Sequence, residues 1–356
     1  IKGDSSVHNL LLTAPTGAGK SLLFQLPAIY LGNEYKLLTL VVSPLKALIV
    51  DQVEALQELG YERVAYASSD LSPEQKNEVY RRVRDGEVDL FYLSPELLLA
   101  YDISYFVGER RIGLVVVDEA HTVTTWGKEF RVDYWFLGRH LEALKNALGY
   151  VFPVFALTAT AVWNPEGGND MIFDTIRSLH LAPCALYVGT VKRENIGFDI
   201  TAMTIEEGET YDKAKQRTVA ARVEDFLDGH KTIIYYPFAG GIDMKLKTWV
   251  YPANWHWVAS YYGKKDKEQK AEIIQAFKEG EKKIIVATKA FGMGVDISDN
   301  DRVYHVAPSG TFVDYIQEIG RAARDKNITG VAVTDFNERD FYYMKRLHSA
   351  GAISQE

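Results

Sequence analysis

Residues 14–21 read Ala14-Pro15-Thr16-Gly17-Ala18-Gly19-Lys20-Ser21. An apolar run at 10–12 precedes this stretch and a second one at 22–24 follows it, which predicts a strand before it and a helix after it. A glycine-rich turn in this position lets consecutive backbone N–H groups converge on an anion at the positive end of the helix. The stretch therefore predicts a phosphate-binding loop and a nucleoside triphosphate as its ligand.

Within this loop, the residues expected to bind the nucleotide are Thr16, Gly17, Ala18, Gly19, Lys20 and Ser21. The Lys20 ammonium would reach the β and γ phosphates, and the Ser21 hydroxyl would hold Mg²⁺. Ala14 departs from the usual pattern, which begins with glycine. The alternative interpretation is an ordinary glycine-rich turn without a ligand.

The composition sets limits on the class of protein. A chain of 356 residues exceeds the usual size of a single core, so two domains are expected. A net charge of -8 excludes binding of nucleic acid through bulk positive charge, although it is compatible with a local basic groove. The single cysteine, Cys184, excludes an internal disulfide and a cysteine-based zinc cluster. Since we find neither a long apolar run nor a leader, we expect an intracellular protein without a membrane segment.

Strand and helix patterns alternate along the first half of the chain. A buried strand is predicted at 39–43 with a helix at 45–59, and a second strand at 89–93 with a helix from 94. This repetition predicts an α/β fold with a parallel sheet, flanked by helices, that binds ligands at the carboxyl ends of its strands. Ser43 and Ser94 lie at such ends, where each could contact a nucleic-acid phosphate or simply cap a helix.

Two carboxylates, Asp118 and Glu119, follow the apolar run 114–117. In a triphosphate-hydrolysing site one carboxylate holds Mg²⁺ and another positions and deprotonates the attacking water. We assign Asp118 to the metal and Glu119 to the water. In isolation such a pair is often only a solvated strand end, and the phosphate loop is what favours the catalytic interpretation.

The segment Asp118-Glu119-Ala120-His121, followed by residues 126–134, resembles the RecQ family of superfamily 2 DNA helicases. The resemblance implies that Trp126, Phe130 and Arg131 belong to an aromatic-rich loop that senses single-stranded DNA and couples it to ATP hydrolysis. Exposed rings stack on bases without sequence preference, and an arginine can take a phosphate. The alternative is that Trp126 and Phe130 form one buried face of a helix.

Two further segments resemble motifs of the same family. Residues 155–161 are similar to its third motif, which implies that Thr158 and Thr160, with His121, couple the ATP site to the DNA site. Residues 284–297 resemble the fifth motif, in which Asp296 matches the position on the nucleotide side.

Residues 317–325 resemble the sixth motif, which contains the arginine fingers. Arg321 and Arg324 are spaced to project from one face of a helix, and the resemblance implies that they neutralise charge on the transferred phosphoryl group. Ala323 replaces the glycine that is usual between them, and a helix would tolerate this change. The alternative is a basic surface helix without a catalytic role.

The aromatic residues between 249 and 262 allow two interpretations. They could form a base-stacking platform, or the alternation at 255–261 could form a core strand, which we favour.

The resemblance implies two RecA-like α/β domains, each a parallel sheet flanked by helices. We place the first at 1–181, a linker at 182–200 and the second at 201–356. The expected function is an ATP- and Mg²⁺-dependent DNA helicase or translocase, stimulated by single-stranded DNA and moving 3′ to 5′. Its partner would be single-stranded or partly duplex DNA in the nucleoid or the nucleus.

Two alternatives stay open. One is a motor subunit that remodels nucleic acid with other subunits or flanking domains and does not unwind alone. The other is a nucleotide-dependent binding switch with little turnover.

Overall fold

The computed structural model describes residues 8–15, 18–123, 132–160, 170–189, 193–237, 240–288, 291, 297, 299–310, 312–325 and 327–342, with only the backbone at 132–135 and 267. The chain divides into two compact units, Ile1–Lys192 and Arg193–Glu356. Across these described ranges, no helix is both long enough and apolar enough to span a membrane.

The first unit alternates strands and helices. Its strands are β1 (Asn9–Thr13), β2 (Leu38–Val42), β3 (Val64–Ala67), β4 (Leu90–Leu93), β5 (Ile112–Val117), β6 (Val154–Thr158) and β7 (Cys184–Val188). Its described helices are α1 (Leu22–Tyr35), α2 (Lys46–Glu58), α3 (Pro73–Arg84), α4 (Pro95–Ala100), α5 (Ile103–Val107), α6 (Val132–Leu148) and α7 (Met171–Ser178).

These seven strands form one parallel sheet in the order β3-β4-β2-β5-β6-β1-β7. Strands β2 and β4 are buried along their whole length, as apolar runs covered on both faces should be. The two faces carry separate apolar cores, one containing Phe91 and Phe106 and the other containing Phe24 and Tyr92.

Asp89, which directly precedes β4, carries a buried charge in the first unit. Its carboxylate is 0% exposed and accepts hydrogen bonds from Arg63 at 2.6 and 2.9 Å and from Arg110 at 3.2 Å. Gly32 of α1 lies against it, because a Cβ atom on Gly32 would be 2.4 Å from the Asp89 Cγ. The absence of a side chain at 32 therefore makes room for the ion pair.

The second unit repeats the architecture. Its strands are β8 (Ile196–Ala202), β9 (Thr232–Tyr235), β10 (Val258–Tyr261), β11 (Ile284–Ala287), β12 (Arg302–His305) and β13 (Gly330–Phe336). Its described helices are α8 (Tyr211–Asp225), α9 (Ile242–Trp249), a 3₁₀ helix (Pro252–Trp257), α10 (Lys267–Lys278) and α11 (Phe312–Ile319). The six strands are parallel in the order β10-β11-β9-β12-β13-β8.

The division between the units falls at 192/193, inside the segment 182–200 that we expected to be a linker. Strand β7 of the first sheet and the first residues of β8 of the second sheet lie within that segment. Both are edge strands with several exposed positions, whereas the inner strands β2 and β4 are buried along their whole length.

The prediction of a core strand at 255–261 is wrong for residues 255–257. Pro252 begins a 3₁₀ helix that extends to Trp257, and only Val258–Tyr261 is a strand. Proline fits the first turn of a helix, so local turn formation prevails over the alternating pattern. Trp249 is buried in the core, whereas Tyr251 and Trp255 are exposed.

Candidate nucleotide and nucleic-acid site

The carboxyl ends of β1, β5 and β6 are neighbours in the first sheet. Thr13 of β1 is in register with Thr158 of β6, and Val117 of β5 with Ala156. The phosphate loop follows β1, the two carboxylates follow β5 and the threonines end β6. Strand order therefore brings together three segments that are far apart in sequence, at the edge where parallel sheets bind ligands.

In the phosphate loop, Gly19 has a φ of 75°, a backbone conformation that favours glycine. The Lys20 ammonium donates hydrogen bonds to the carbonyls of Ala14 and Pro15, both at 3.0 Å, so it is held over the loop. Ser21 is the N-cap of α1, but its side chain makes no capping hydrogen bond. The positive end of α1 and the Lys20 ammonium both favour an anion here. Thr16 and Gly17 lie outside the described residues.

Asp118 is 6% exposed at the end of β5. Its carboxylate accepts hydrogen bonds from the Glu119 backbone N–H at 2.9 Å and from Gln52 at 3.2 Å. Burial and the neighbouring Glu119 charge raise the pKa of Asp118 to about 7, although nearby Lys20 acts in the opposite direction. A buried carboxylate with a raised pKa would gain from a bound cation, so this environment fits the assignment of Asp118 to Mg²⁺.

Among the residues that the structure describes, no group of three or more His, Cys, Asp or Glu could hold a metal ion. The proposed Mg²⁺ ligands, Ser21 and Asp118, are a hydroxyl and a single carboxylate. In triphosphate sites the phosphates and water complete the coordination of Mg²⁺, so such a pair is sufficient.

Glu119 has a φ of 48°, which is unusual for a residue with a side chain. The turn is fixed by the Glu119 carbonyl, which accepts from the Thr122 backbone N–H at 2.9 Å and from the Thr122 hydroxyl at 2.8 Å. The carboxylate is 22% exposed and lies 3.4 Å from His121 Nδ1. The left-handed turn thus separates the environments of the two carboxylates, since Asp118 is buried and the Glu119 side chain is half-buried.

A chain of polar contacts leads from Glu119 to the end of β6. His121 is buried, and its Nδ1 lies 2.9 Å from the Thr158 hydroxyl. The same hydroxyl donates to the Thr160 carbonyl at 3.0 Å and accepts from the Thr160 backbone N–H at 3.1 Å. The structure therefore brings together His121, Thr158 and Thr160, which we expected to couple the two sites.

The expected nucleic-acid contacts differ in their surroundings. Ser94 caps α4 by accepting from the Leu97 backbone N–H, which is the alternative that we considered for it. Ser43 is only 1% exposed, so its hydroxyl is not presented at the surface. Burial therefore argues against the direct phosphate contact that we expected from Ser43. Trp126, Phe130 and Arg131 lie outside the described residues, and so does Asp296 of the second unit.

Arg321 and Arg324 lie on a turn, which corrects the helix predicted for them. Helix α11 ends at Ile319, and the next bonds, from the Arg321 and Ala322 N–H groups, are of the tighter 3₁₀ type. Ala323 then has a φ of 50°, which an α-helix cannot accommodate. Glycine, which the sixth motif usually has at this position, adopts such a conformation without the strain that alanine meets.

Gln52 was missed by the sequence reasoning. It lies on α2 and is the side-chain donor to the Asp118 carboxylate. A glutamine in an amphipathic helix gives no local signal, because only the neighbouring β2 and β5 place it opposite Asp118.

Comparison with known families matches two models to this chain. Residues 3–166 match the DEAD/DEAH box helicase model, and residues 216–326 match the helicase conserved C-terminal domain. The first match contains the phosphate loop and the two carboxylates, and the second contains both arginines.

Curated relatives align along nearly the whole chain. The ATP-dependent helicase SGS1 of Saccharomyces cerevisiae is 30% identical over 95% of this chain and 22% of its own length. The ATP-dependent DNA helicase RecQ of Bacillus subtilis is 32% identical over 96% of this chain and 53% of its own length. RecQ of Haemophilus influenzae is 30% identical over 96% of this chain and 50% of its own length. The chain thus spans about half or less of these relatives.

Solved structures share the fold. The helicase MrfA bound to DNA and AMPPNP superposes with a TM-score of 0.76 at 19% identity, covering 96% of this chain and 48% of that one. Dbp5 of S. cerevisiae bound to RNA and ADP BeF3 superposes with a TM-score of 0.70 at 15% identity. This superposition covers 98% of this chain and 84% of Dbp5. These similarities confirm the α/β class with two RecA-like parallel sheets flanked by helices. Both helicase models and the RecQ-type relatives match along the length of the chain, which therefore carries a DEAD/DEAH box helicase core similar to that of the RecQ helicases.

Proposed function

We propose that this chain is an ATP-dependent DNA motor, the core of a helicase that hydrolyses ATP when single-stranded DNA is bound. The observation that carries the proposal is the meeting of Lys20, Asp118, Glu119 and the His121–Thr158 pair at one edge of the first sheet. This set supplies phosphate binding, a metal ligand, a base and a polar connection toward the end of β6.

In the proposed reaction, Lys20 and the backbone of residues 16–21 bind the phosphates of ATP. Glu119 orients the attacking water and accepts its proton. Ser21 and Asp118 would hold Mg²⁺, which supplies positive charge against the phosphate oxygens. Arg321 and Arg324 of the second unit would neutralise charge that develops on the transferred phosphoryl group, and Asp296 would lie on the nucleotide side.

For nucleic acid, we propose that Trp126 and Phe130 stack on bases and that Arg131 binds a phosphate. We also propose that Ser94 contacts a nucleic-acid phosphate, because it is the N-cap of the helix that follows β4. By family resemblance the substrate is DNA and the direction of movement is 3′ to 5′. The motor would act in the nucleoid or the nucleus.

Steady-state ATP hydrolysis with and without single-stranded DNA tests the proposal. We expect stimulation by DNA in the native sequence and its loss, with basal turnover kept, in a Trp126→Ala/Phe130→Ala variant. Glu119→Gln should abolish turnover while nucleotide binding persists. Negligible turnover in the native sequence would favour the nucleotide-dependent switch instead, whereas turnover unaffected by Glu119→Gln would contradict the role of Glu119 as the base.

A second candidate is favoured by the length of the relatives, of which this chain spans about half or less. The chain would then translocate or remodel nucleic acid with other domains or subunits and would not separate strands alone. A strand-displacement assay on a partly duplex DNA decides between the two, because the second candidate requires strong DNA-stimulated hydrolysis without displacement.

A further inference from the structure

The first residues of the second unit hold the turn that carries both arginines. We call residues 320–325 the arginine turn. The Asn195 side-chain amide donates to the Ala323 carbonyl at 2.9 Å and to the Ile328 carbonyl at 3.0 Å, just beyond the turn. Arg193 donates to the carbonyls of Ala322 and Ala323 and also to the Asn195 side-chain oxygen. Two side chains from the start of the unit thus bind consecutive carbonyls between Arg321 and Arg324.

The opposite side of the arginine turn is held by Asn300 and Gly330. The Asn300 amide donates to the Arg321 carbonyl at 3.3 Å, and the Asn300 carbonyl accepts from the Ala323 backbone N–H at 2.7 Å. Gly330 is packed against the turn, since a Cβ atom there would be 2.9 Å from the Ala323 Cβ and 3.0 Å from the Ala322 Cβ. The Gly330 N–H also donates to the Asn195 carbonyl at 2.8 Å.

The turn requires such support because its conformation is intrinsically unfavourable. Ala323 has a φ of 50° and is fully buried, and the left-handed region is unfavourable for a residue with a Cβ atom. A backbone held in this region persists only where its surroundings fix it. The carbonyl of Ala323, at the strained residue itself, is the one that both Asn195 and Arg193 bind.

We propose that Asn195 is a positioning residue for the arginine fingers. By holding Ala323 in its left-handed conformation, it sets the directions in which Arg321 and Arg324 leave the turn. Arg193 assists it, and burial together with the Arg324 charge lowers the pKa of Arg193, as its position beside the turn requires. The inference rests on the finger role proposed above for the two arginines. It adds that residues 193–195, which follow directly on the segment joining the two units along the chain, control the finger geometry.

The test compares Asn195→Ala and Asn195→Asp with the native sequence. Asn195→Asp keeps the shape but exchanges the amide donor for a carboxylate facing the Ala323 and Ile328 carbonyls. We expect either change to lower kcat for ATP hydrolysis by about tenfold or more, with the KM for ATP within about twofold. Because fingers act on charge that develops in the transition state, binding of ADP with aluminium fluoride should weaken at least tenfold while binding of ADP alone stays unchanged.

A matched control and a second change at the arginine turn test whether the effects of the Asn195 variants arise from the turn itself. Asn77→Asp makes the same chemical change at an exposed asparagine of α3 in the first unit, and it should leave every value unchanged. Gly330→Ala pushes a methyl group against Ala322 and Ala323 with Asn195 intact, and it should give the same selective loss of ADP–aluminium fluoride binding. If the Asn195 variants fail to fold, the Gly330→Ala measurement decides.

Three outcomes separate the inference from the proposed function. Full kcat and native ADP–aluminium fluoride binding in Asn195→Asp, with Arg321→Ala inactive, would overturn only the inference. Equal weakening of ADP and ADP–aluminium fluoride in folded Asn195 variants would show a general structural role and would also overturn it. Full turnover in Arg321→Ala and Arg324→Ala would overturn the finger role itself, and the inference with it.

Discussion

The His121 imidazole and the Thr158 hydroxyl, which come from segments after β5 and at the end of β6, lie 2.9 Å apart in a buried environment. Because the imidazole also lies 3.4 Å from the Glu119 carboxylate, a shift of β6 would move the proposed base. We therefore propose that this contact links the two proposed sites.

Removing the hydroxyl should uncouple hydrolysis from DNA. We expect Thr158→Val to lower the stimulation of ATP hydrolysis by single-stranded DNA about tenfold and to change basal turnover about twofold or less. Thr158→Ser keeps the hydroxyl and serves as the control. Native stimulation in Thr158→Val would show that coupling takes another route.

Asp118→Asn should stabilise the protein at alkaline pH while it abolishes hydrolysis. The folded pKa of Asp118, about 7, lies above the value of about 3.9 expected in the unfolded chain. The folded state therefore binds this proton more tightly, and the associated stability is present below pH 4 and lost as the pH rises through 7. An uncharged amide avoids that loss. Gln52 can turn its buried amide oxygen, which has no hydrogen-bond partner among the described residues, to accept from it.

Thermal unfolding without Mg²⁺ or nucleotide checks this prediction. We expect Asp118→Asn to raise the free energy of unfolding by about 2 kcal/mol at pH 8 and to leave it nearly unchanged at pH 4. Asp225→Asn, at an exposed position, is the control. A gain that is equal at both pH values would contradict the raised pKa.

Gly32→Ala should destabilise the first unit by about 3 kcal/mol. The new methyl group would be 2.4 Å from the Asp89 Cγ, so either α1 must move or the buried carboxylate must leave Arg63 and Arg110. Gly263→Ala, where no atom lies within 4 Å of the new Cβ, is the matched control. Denaturant unfolding measures both, and equal midpoints would show that the helix adapts.

Lys215→Met should destabilise the second unit by about 3 kcal/mol because it leaves the buried Asp340 carboxylate without its cation. The Lys215 ammonium donates to Asp340 at 2.9 Å and to the Asp335 carbonyl at 3.1 Å, and burial lowers its pKa. Adding Asp340→Asn should recover part of the loss, since it removes the unpaired charge. A double-mutant cycle by denaturant unfolding gives the coupling, and strictly additive losses would contradict the pairing.

Periodicity and strand-end residues were sufficient to predict the α/β class and the grouping of the phosphate loop with Asp118 and Glu119. Such patterns are local, and the parallel topology converts them into a site without further information. Gln52 was not predictable, because its partner is set by the order of β2 and β5 in the sheet. The arginine turn was missed because alanine at 323 favours a helix by propensity, whereas contacts with residues far away in sequence hold it left-handed. The burial of Ser43 was not predictable, because a serine at a strand end gives no sign of it.

The position of β1 between β6 and β7 has a consequence for biosynthesis. The Asn9 side chain of β1 accepts a hydrogen bond from the Val154 backbone N–H and donates one to the Leu181 carbonyl. These partners are 145 and 172 residues further along the chain, and the β1 backbone pairs with β6 and β7. Within the first sheet, a ribosome therefore delivers β1 before the other strands and its neighbours β6 and β7 after them. The growing chain must keep Leu11 and Leu12 from premature association until residue 188 has left the exit tunnel. Nascent chains that end before β6 should thus carry the whole phosphate loop and both carboxylates and still be unable to retain ATP.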